Sequence, residues 1–456
     1  MARDVVDAQF IESRGDLVAW LEAGCKPAEA FRVGTEHEKI PFYRSDLSPT
    51  PYEGPRGIRA LLEGMRQRLG WEAIEDDGKL IGLFDAHGAG AISLEPGGQF
   101  ELSGAPLETV HETSGEIQAH LRSVHAVADA LGIGFLSLGA SPKWSLAQIP
   151  VMPKSRYRIM ARYMPEVGTR GLDMMFRTAT VQTNLDFSSE SDMVAKLRVG
   201  LALQPVITAL FANSPFLEGK PNGFLSLRSE IWRGTDAART GMMPFAFEPG
   251  MGFERYVDYA LDVPLYFVKR GSVYHDVAGA SFRDLLVGEL AALPGERATI
   301  SDWANHLSTI FPEVRLKRYL EMRGADVGPP DRMCALAAFS VGLFYDPVAL
   351  AAASDLIKNW SAAERQALRD EVPRLGLAAR IAGRDLREVA RETLAIARKG
   401  LQRRDRRDAS GRDEAIFLDP LDVIVAEGKT PAELWLARYE GAWGGRIDPA
   451  FEEAAL

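Results

Sequence analysis

The hydrophobic pattern of the chain changes near residue 346. From about residue 31 to residue 346, short segments with a period of two alternate with segments of helical period, which is typical of a mixed α+β protein. From Pro347 onward the pattern is almost entirely helical. There, Ser361 and Thr430 are each followed three residues later by glutamate, which predicts two capping boxes that open helices. The charged, glycine-containing stretch 403–413 predicts a solvated loop.

Two apolar or terminal segments bear on location. The stretch Leu201–Phe211 is interrupted by Gln204 and Pro205 and is too short to cross a hydrocarbon layer of ~30 Å, so we interpret it as a buried helix. Residues 1–7 are charged and lack the apolar core of a secretory signal. We therefore expect a cytoplasmic protein that does not bind a membrane.

Composition narrows the class of protein. The 456 residues are 46% hydrophobic and 25% charged, which is ordinary for a globular chain with one large core or two modest ones. The net charge of −10 argues against nucleic acid as the main partner. The two cysteines, Cys25 and Cys334, are too few for a disulfide scaffold and fit two reduced thiols.

The first segment with candidate chemistry is residues 31–39. If it is a strand, its period of two places Glu36 and Glu38 on one face and His37 and Lys39 on the other. Two neighbouring carboxylates repel unless a divalent cation neutralises them, and hard oxygen ligands suit magnesium or manganese. Taken alone, however, the Glu-x-Glu pattern fits a solvent-facing acidic strand better.

The second segment, residues 93–103, predicts two strands joined by a Pro-Gly-Gly turn. Gln99 and Glu101 share a face of the second strand, and Glu95 lies at the edge of the turn. Paired glycines allow the backbone to approach a ligand closely, although an ordinary tight hairpin needs them equally.

Three further segments carry polar residues at strand spacing. In residues 180–187, Gln182, Asn184 and Asp186 share a face. In residues 224–232, which we interpret as another strand, Arg228 lies on the polar face, where its guanidinium can hold a carboxylate.

In residues 318–326, Glu321 and Arg323 share a face, as they also would in a purely structural ion pair. Together the five segments predict a sheet with one packed side and one side that lines a polar cavity. An amphipathic sheet facing water remains the alternative.

Common signatures of other enzyme classes are missing from the sequence. It contains no G-x-x-x-x-G-K-[ST], no G-x-S-x-G and no C-x-x-C, and no G-x-G-x-x-G follows a predicted strand. The seven histidines show no zinc-ligand spacing. The commonest ATPase, dinucleotide-binding and hydrolase motifs are therefore excluded.

In this order, the segments closely resemble the glutamate-cysteine ligases of the plant and proteobacterial type. The resemblance rests on Gly-Thr-Glu-His-Glu-Lys (34–39), Leu-Glu-Pro-Gly-Gly-Gln-Phe-Glu-Leu-Ser-Gly-Ala-Pro (94–106), Val-Gly-Thr-Arg-Gly-Leu-Asp-Met-Met-Phe-Arg-Thr (167–178) and Val-Arg-Leu-Lys-Arg-Tyr-Leu-Glu-Met-Arg-Gly-Ala-Asp (314–326). It extends from about residue 16 to the Gly-Ala-Trp-Gly near residue 441. The resemblance thus covers almost the whole chain.

The resemblance implies a fold and a reaction. The fold is a single glutamine synthetase-like catalytic domain over residues 1–456, with a mixed part over about 16–346 and a helical closing segment over about 347–456. A curved antiparallel sheet forms a funnel with helices outside. The reaction is magnesium-dependent: ATP phosphorylates the γ-carboxylate of glutamate, and the amino group of cysteine attacks the acyl phosphate in the first step of glutathione biosynthesis. A related carboxylate-amine ligase with another amine acceptor is the alternative.

The resemblance also implies roles for individual residues. Arg228 resembles the arginine that holds the α-carboxylate of glutamate, and Arg323 the catalytic arginine that stabilises the transferring phosphoryl group. Tyr266 and the pair Met175 and Phe176 shape the substrate pocket, although core packing explains them nearly as well. Gln182 and Asn184 face the metal and nucleotide. The implied metal ligands are Glu36, Glu38, Glu101 and Glu321, with Glu95 as an addition at the turn.

Departures from the family bear on regulation. Plant members carry cysteines where this chain has Ser114, Val277 and Ala292, and only Cys334 matches one of their disulfide partners. Their regulatory bridges therefore cannot form here. Oxidation-linked dimerisation loses its rationale as well, so we expect a monomer whose partners are its small-molecule substrates.

Overall fold

The strands of the protein alternate with helices along most of the chain. The computed structural model describes residues 7–88 and 90–456. In chain order its strands are β1 (Val33–Tyr43), β2 (Glu72–Asp76), β3 (Lys79–Phe84), β4 (Ala91–Leu94), β5 (Phe100–Ser103), β6 (Ile133–Leu136), β7 (Thr180–Leu185), β8 (Phe216–Leu217), β9 (Lys220–Pro221), β10 (Thr240–Gly241), β11 (Phe267–Arg270), β12 (Val273–Asp276), β13 (Phe311–Pro312), β14 (Val314–Leu316), β15 (Leu320–Asp326), β16 (Arg380–Ile381) and β17 (Arg384–Asp385).

The α-helices surround the strands and dominate the C-terminal quarter. In chain order they are α1 (Arg14–Glu22), α2 (Ile58–Leu69), α3 (Val110–Leu131), α4 (Ser155–Val167), α5 (Gly171–Arg177), α6 (Glu190–Leu210), α7 (Leu227–Arg233), α8 (Phe253–Asp262), α9 (Phe282–Val287), α10 (Ile300–Ser308), α11 (Pro330–Phe344), α12 (Pro347–Ile357), α13 (Ala362–Leu375), α14 (Leu386–Arg404), α15 (Asp419–Glu427), α16 (Pro431–Glu440) and α17 (Ala450–Glu453).

A nine-stranded sheet organises the described part of the chain. Its order is β14-β15-β7-β1-β5-β4-β3-β2, with β6 paired to the far half of β1, and every neighbouring pair is antiparallel. The sheet is thus assembled from segments distant in sequence around the long strand β1. The α+β class with an antiparallel sheet, predicted from the sequence, is confirmed.

Helices cover one side of the sheet. Helix α3 packs against β1 and β6, α11 against β1 and β7, and α6 against β14 and β15. The opposite side of the sheet is faced by α4, α5 and α7, which contribute side chains to a cavity described below. The sheet therefore separates a helix-covered core from a polar cavity, as the alternation of residue types predicts.

The predicted buried helix is part of α6. Within the described residues, α6 is the one single helix long and apolar enough to cross a membrane, and a further span would require α11 and α12, bent by 90°, to count as one. In α6, 83% of the most apolar window is buried inside the protein. The interpretation of residues 201–211 as a buried core helix is confirmed.

The two predicted capping boxes are both present. The Ser361 hydroxyl accepts a hydrogen bond from the Glu364 amide at 3.2 Å, and the Glu364 carboxylate accepts one from the Ser361 amide at 2.8 Å. Thr430 and Glu433 make the same reciprocal pair at the start of α16. The predicted loop 403–413 is shorter than expected, because α14 continues to Arg404 before the chain turns.

One secondary-structure prediction at the candidate site is wrong. We interpreted residues 224–232 as a strand, but Leu227–Arg233 form helix α7. The physical reason is local: the hydroxyl of Ser226 accepts a hydrogen bond from the amide of Ser229 and so caps the first turn of a helix. Arg228 therefore projects from a helix across the cavity and not from the sheet.

Candidate active site

A single cavity collects most of the predicted site residues. It encloses about 910 Å³ including its open mouth, and strands of the sheet form one wall while α4, α5 and α7 contribute to the other. Nine of the residues singled out from the sequence line it: Glu36, Glu38, Glu95, Gln99, Glu101, Met175, Gln182, Arg228 and Arg323. The convergence is a consequence of strand order and register.

Strand β1 supplies the first two carboxylates. Glu36 and Glu38 lie two positions apart on the strand and face the same cavity, while His37 and Lys39 are buried on the other side of the sheet. Across the ladder, Glu36 is paired with Gln182 of β7 and Glu38 with Glu101 of β5. Residues more than 140 positions apart in the chain are neighbours for this reason.

The β4–β5 hairpin supplies Glu95, Gln99 and Glu101. The turn between the strands places Gly98 at φ 88°, a conformation that favours glycine. Gln99 donates a hydrogen bond to the Thr178 carbonyl at 2.8 Å, which ties the turn to the end of α5. Glu101 accepts hydrogen bonds from Ser93 at 2.6 Å and Ser103 at 3.1 Å, so its carboxylate is held in place toward the cavity.

Strand β7 orients its neighbours. Gln182 lines the cavity, and its side-chain oxygen Oε1 accepts a hydrogen bond from Arg323 at 2.7 Å. Asn184 does not line the cavity, but its amide donates to the Glu36 carboxylate at 2.8 Å. Asp186, on the same strand face by spacing, instead pairs with Lys26 at 2.9 Å away from the site.

Glu321 differs from the other predicted metal ligands. Its carboxylate is 0% exposed and does not line the cavity. Arg315 Nη2 lies 2.6 Å from Oε1 and 2.9 Å from Oε2, Lys317 lies 3.0 Å from Oε2, and Arg323 contacts Oε1. Glu321 is thus the centre of a buried cluster with three cations.

Arg228 reaches the cavity from α7. Its side chain is 2% exposed, and Nη2 donates a hydrogen bond to the Arg323 carbonyl at 2.8 Å. The other two nitrogens, Nε and Nη1, have no hydrogen-bond partner among the described residues. Because a buried N–H group without an acceptor costs free energy, this guanidinium is suited to a ligand anion such as a carboxylate.

The remaining predicted pocket residues separate into two groups. Met175 lines the cavity, whereas Phe176 and Tyr266 do not. Tyr266 is 1% exposed, and the guanidinium of Arg239 lies 3.7 Å from the centre of its ring. Phe176 packs against the hydrophobic core. In this structure, packing accounts for the positions of Phe176 and Tyr266.

Sequence reasoning missed several residues that line the cavity. Arg156 of α4, Trp232 of α7, Phe311 of β13 and Arg315 of β14 all do so. The Trp232 and Phe311 rings lie 5.5 Å apart, and the Arg323 guanidinium lies 5.8 Å and 5.6 Å from their centres. Since Trp232 follows Arg228 by four positions, the helical spacing of the two residues was the available signal.

Burial and repulsion between carboxylates raise the pKa values of Glu36 and Glu38. Burial raises the pKa of Glu36, and the negative charges of Glu321 and Glu101 add to the effect. Burial likewise raises the pKa of Glu38 well above its ordinary value, with Glu95 and Glu101 contributing. Both shifts have the same main cause, which is the burial of a negative charge near other carboxylates.

The pKa of Glu321 is lowered. Burial alone would raise the pKa of this carboxyl, but the positive charges of Arg315, Lys317 and Arg323 outweigh burial and hold its pKa well below the ordinary range. The site therefore contains a carboxylate whose charge is neutralised by the protein beside carboxylates whose charge is not.

The carboxylates that lack a cationic partner are the ones suited to a metal ion. In residues 7–88 and 90–456, no three acidic, histidine or cysteine side chains already stand around one point at metal-binding distance. Glu36, Glu38, Glu95 and Glu101 nevertheless offer hard oxygen donors to one cavity, which is the chemistry that magnesium and manganese require. The donor set fits a divalent cation, with side-chain adjustment on binding.

Comparison with known proteins shows the family to which the chain belongs. Residues 32–453 match the family model described as glutamate-cysteine ligase family 2. The chain is 55% identical over 450 residues to a chloroplastic glutamate-cysteine ligase of Nicotiana tabacum, covering 99% of this chain and 84% of the relative. It is 56% identical over 441 residues to the corresponding protein of Arabidopsis thaliana, covering 97% and 82%.

A solved structure shares the fold. The glutamate-cysteine ligase of Francisella tularensis, determined in complex with AMP, superposes with a TM-score of 0.55 at 14% sequence identity and covers 93% of this chain and 88% of its own. At this identity the likeness concerns the fold alone.

The comparison with the plant relatives corrects the predicted location. The cytoplasmic location that we expected is wrong, because the relatives that match nearly the whole chain are named as chloroplastic proteins. The expectation used the absence of an apolar core in residues 1–7. That absence argues only against a secretory signal, since plastid leaders have no such core.

Proposed function

The chain belongs to the glutamate-cysteine ligase family 2, and from that premise we propose that it is an ATP-dependent ligase that joins the γ-carboxylate of glutamate to the amino group of cysteine. The products are γ-glutamylcysteine, ADP and phosphate, and the reaction is the first step of glutathione biosynthesis. One observation carries the proposal from the structure. Four glutamates and four arginines line a single cavity: Glu36, Glu38, Glu95, Glu101, Arg156, Arg228, Arg315 and Arg323.

The reaction proceeds in two transfers. An oxygen of the glutamate γ-carboxylate takes the γ-phosphoryl group of ATP, which forms an acyl phosphate and releases ADP. The cysteine nitrogen then attacks the acyl carbon, the bond from carbon to the phosphate oxygen breaks, and the nitrogen loses a proton. Both steps move negative charge between oxygens, so fixed positive groups around the cavity lower their barriers.

Arg228 binds the α-carboxylate of glutamate in this proposal. The unpartnered Nε and Nη1 of its buried guanidinium support the role, because both still need an acceptor and a carboxylate supplies acceptor oxygens of opposite charge. Since Nη2 is already bonded to the Arg323 carbonyl, the guanidinium is oriented before substrate arrives. Binding then requires little reorganisation.

Arg323 stabilises the transferring phosphoryl group in this proposal. Its Nη1 contacts both Gln182 and Glu321, and its guanidinium lies near the Trp232 and Phe311 rings. These contacts hold it at the cavity wall, while Arg315 and Lys317 supply further positive charge from the same side. The basic cluster around Glu321 is thus the place best suited to a nucleotide phosphate.

The proposal includes a divalent cation, magnesium or manganese, held by Glu36, Glu38, Glu101 and, at the turn, Glu95. When bound, such an ion would neutralise negative charge on the nucleotide phosphates and offset the charge of the carboxylates. The raised pKa values of Glu36 and Glu38 support this assignment, since burial and the neighbouring carboxylates outweigh the positive charges of Lys317 and Arg228. Glu321 would join as a ligand only by exchanging one of its three cationic partners.

The remaining residues predicted from the sequence have supporting roles in this proposal. Gln182 and Asn184 orient Arg323 and Glu36 toward the metal and nucleotide. Met175 contributes to the substrate pocket from α5. Tyr266 and Phe176 do not line the pocket and support it through core packing. The proposed enzyme is a single catalytic domain over residues 1–456 and a monomer, and its molar mass in solution, measured by light scattering, tests the latter.

The decisive experiment varies the amine acceptor and follows ADP release in the presence of magnesium. Release that requires both glutamate and cysteine is the expected result. Release with glutamate and another amine, but not cysteine, would instead identify a related carboxylate-amine ligase. No release with any acceptor would contradict a catalytic role. Reactions without glutamate serve as the control for ATP hydrolysis alone.

A further inference from the structure

Asp326 is a buried carboxylate that the proposed reaction does not use. It ends strand β15, is 1% exposed and does not line the cavity. Its two oxygens accept three hydrogen bonds, from the Asn213 amide at 2.9 Å, the Ser214 hydroxyl at 2.6 Å and the Ser226 hydroxyl at 2.9 Å. Three donors from two separate chain segments therefore meet at one residue.

The two serine hydroxyls connect Asp326 to the first turn of α7. The Ser214 hydroxyl accepts a hydrogen bond from the Arg228 amide at 3.1 Å, and the Ser226 hydroxyl accepts one from the Ser229 amide at 3.2 Å. Each hydroxyl thus donates to Asp326 and accepts from the helix. A hydroxyl has only one proton. Because each serine donates that proton to Asp326, its oxygen can only accept in the hydrogen bond with the helix amide.

The side chain of Arg228 is attached to the same strand. Its Nη2 donates to the Arg323 carbonyl, three residues before Asp326. A β-bulge between Met322 and Ala325 interrupts the ladder with β7 at this point, so the Arg323 carbonyl, which the Thr180 hydroxyl reaches only at 3.4 Å, also accepts from outside the sheet. Both the backbone and the guanidinium of Arg228 are therefore positioned by β15.

We propose that Asp326 is a positioning residue for glutamate recognition, which acts through Ser214 and Ser226 on the helix turn that carries Arg228. The inference rests on the proposed function, in which Arg228 holds the α-carboxylate of glutamate. Hydrogen bonds from the guanidinium to a carboxylate tolerate only a small displacement, so a shifted helix turn weakens them. The distance from Asp326 to the cavity is bridged by hydrogen bonds and not by direct contact with substrate.

The chemistry at this position requires a carboxylate of this length. An asparagine would present one acceptor and one donor to three donors, so at least one link would be lost. The side chain of Asp326 packs closely against Gly139, since a Cβ atom on that glycine would lie only 2.4 Å from the Asp326 Cγ. The longer side chain of a glutamate at position 326 would therefore not fit. Asp326→Asn is therefore the informative change, since it keeps the size and removes the acceptor.

The experiment compares Asp326→Asn, Ser214→Ala and Ser226→Ala with Arg228→Lys in steady-state ligation of glutamate and cysteine. We expect Asp326→Asn to raise the KM for glutamate about tenfold, with the KM for ATP changed less than about twofold. The double variant Asp326→Asn with Arg228→Lys should have the glutamate KM of Arg228→Lys alone, because the positioned group is already impaired. A merely structural role would give additive effects in the double variant and would overturn the inference.

Controls separate the inference from the proposed function. Glu414→Gln alters another fully buried carboxylate, which binds Arg404 and the Val110 amide, and should leave the glutamate KM unchanged. If the wild-type protein ligates glutamate to cysteine and Arg228→Lys raises the glutamate KM, unchanged values in the three Asp326-network variants would overturn only the inference. An inactive wild type would instead contradict the proposed function. If Asp326→Asn fails to fold by circular dichroism, the serine variants decide, since they retain the carboxylate.

Discussion

Glu38 on β1 lies directly opposite Glu101 on β5 in the antiparallel ladder, and both carboxylates line the same cavity. Like charges at directly opposed positions destabilise a sheet. Here each carboxylate is also held in place, Glu38 by the Thr180 amide at 3.0 Å and Glu101 by two serine hydroxyls. The protein thus maintains an unfavourable pair, which is accounted for if a divalent cation binds between the two strands.

We expect Glu38→Gln to weaken the dependence on magnesium. The amide keeps the shape of the side chain but removes the negative charge, so the magnesium concentration for half-maximal activity should rise at least about tenfold and turnover should fall. A magnesium titration of ADP release measures both. Glu72→Gln, an exposed position on β2 of the same sheet, is the matched control. A normal titration in the Glu38 variant would remove Glu38 from the ligand set.

Arg228→Lys tests the substrate clamp. Lysine keeps the positive charge but loses the planar pair of donors, so the KM for glutamate should rise by about tenfold or more, with a smaller change in the KM for ATP. Arg233→Lys on the same helix, where the side chain pairs with Glu230 at the surface, controls for the helix itself. Equal effects on the two KM values would contradict the assignment of Arg228 to glutamate.

Much of the site was predictable from spacing alone. The period of two in residues 31–39 placed Glu36 and Glu38 on one face, and the Pro-Gly-Gly sequence predicted the hairpin that presents Glu95, Gln99 and Glu101. Both features are local, and local patterns determine which face of a strand a side chain occupies. The structure has both features as predicted.

The parts that were missed depend on contacts between distant segments. Arg228 was placed on a strand because its segment alternates, whereas the Ser226 cap and the link to Asp326 favour a helix. The pairing of Glu321 with Arg315 and Lys317 required the register of β14 against β15, which a single sequence does not reveal. Arg156 and Phe311 reach the cavity only through tertiary packing.

The two thiols lead to a prediction about redox sensitivity. Cys25 and Cys334 are both free, and burial raises the pKa of each thiol, that of Cys334 to about 11. Less thiolate at neutral pH means slower disulfide exchange. Activity should therefore change by less than about twofold when fresh substrate is assayed with and without dithiothreitol. A severalfold change that disappears in a Cys25→Ser variant would reveal a regulatory thiol.

Glu116 on α3 gives a prediction about stability and pH. Its carboxyl accepts one hydrogen bond, from the Ala105 amide at 2.8 Å, and its second oxygen has no partner among the described residues. Burial raises the pKa of Glu116 from 4.5 to about 7. Because the folded state holds this proton more tightly than the unfolded state, the contribution of Glu116 to stability is greatest below pH 4.5 and is lost as the pH rises through 7.

Glu116→Gln removes this titration while leaving an oxygen to accept from the Ala105 amide. At pH 5 the variant and the wild type should have similar free energies of unfolding, since the wild-type carboxyl is then largely protonated in the folded protein. At pH 8 the variant should be more stable by on the order of 2 kcal/mol, because the wild type must bury a charge that glutamine lacks. Unfolding in urea at several pH values measures the difference, with the exposed Glu63→Gln on α2 as the control for loss of charge. A stability difference that stays constant from pH 5 to pH 8 would show that the carboxyl is already ionised at pH 5 in the folded protein and would contradict the raised pKa.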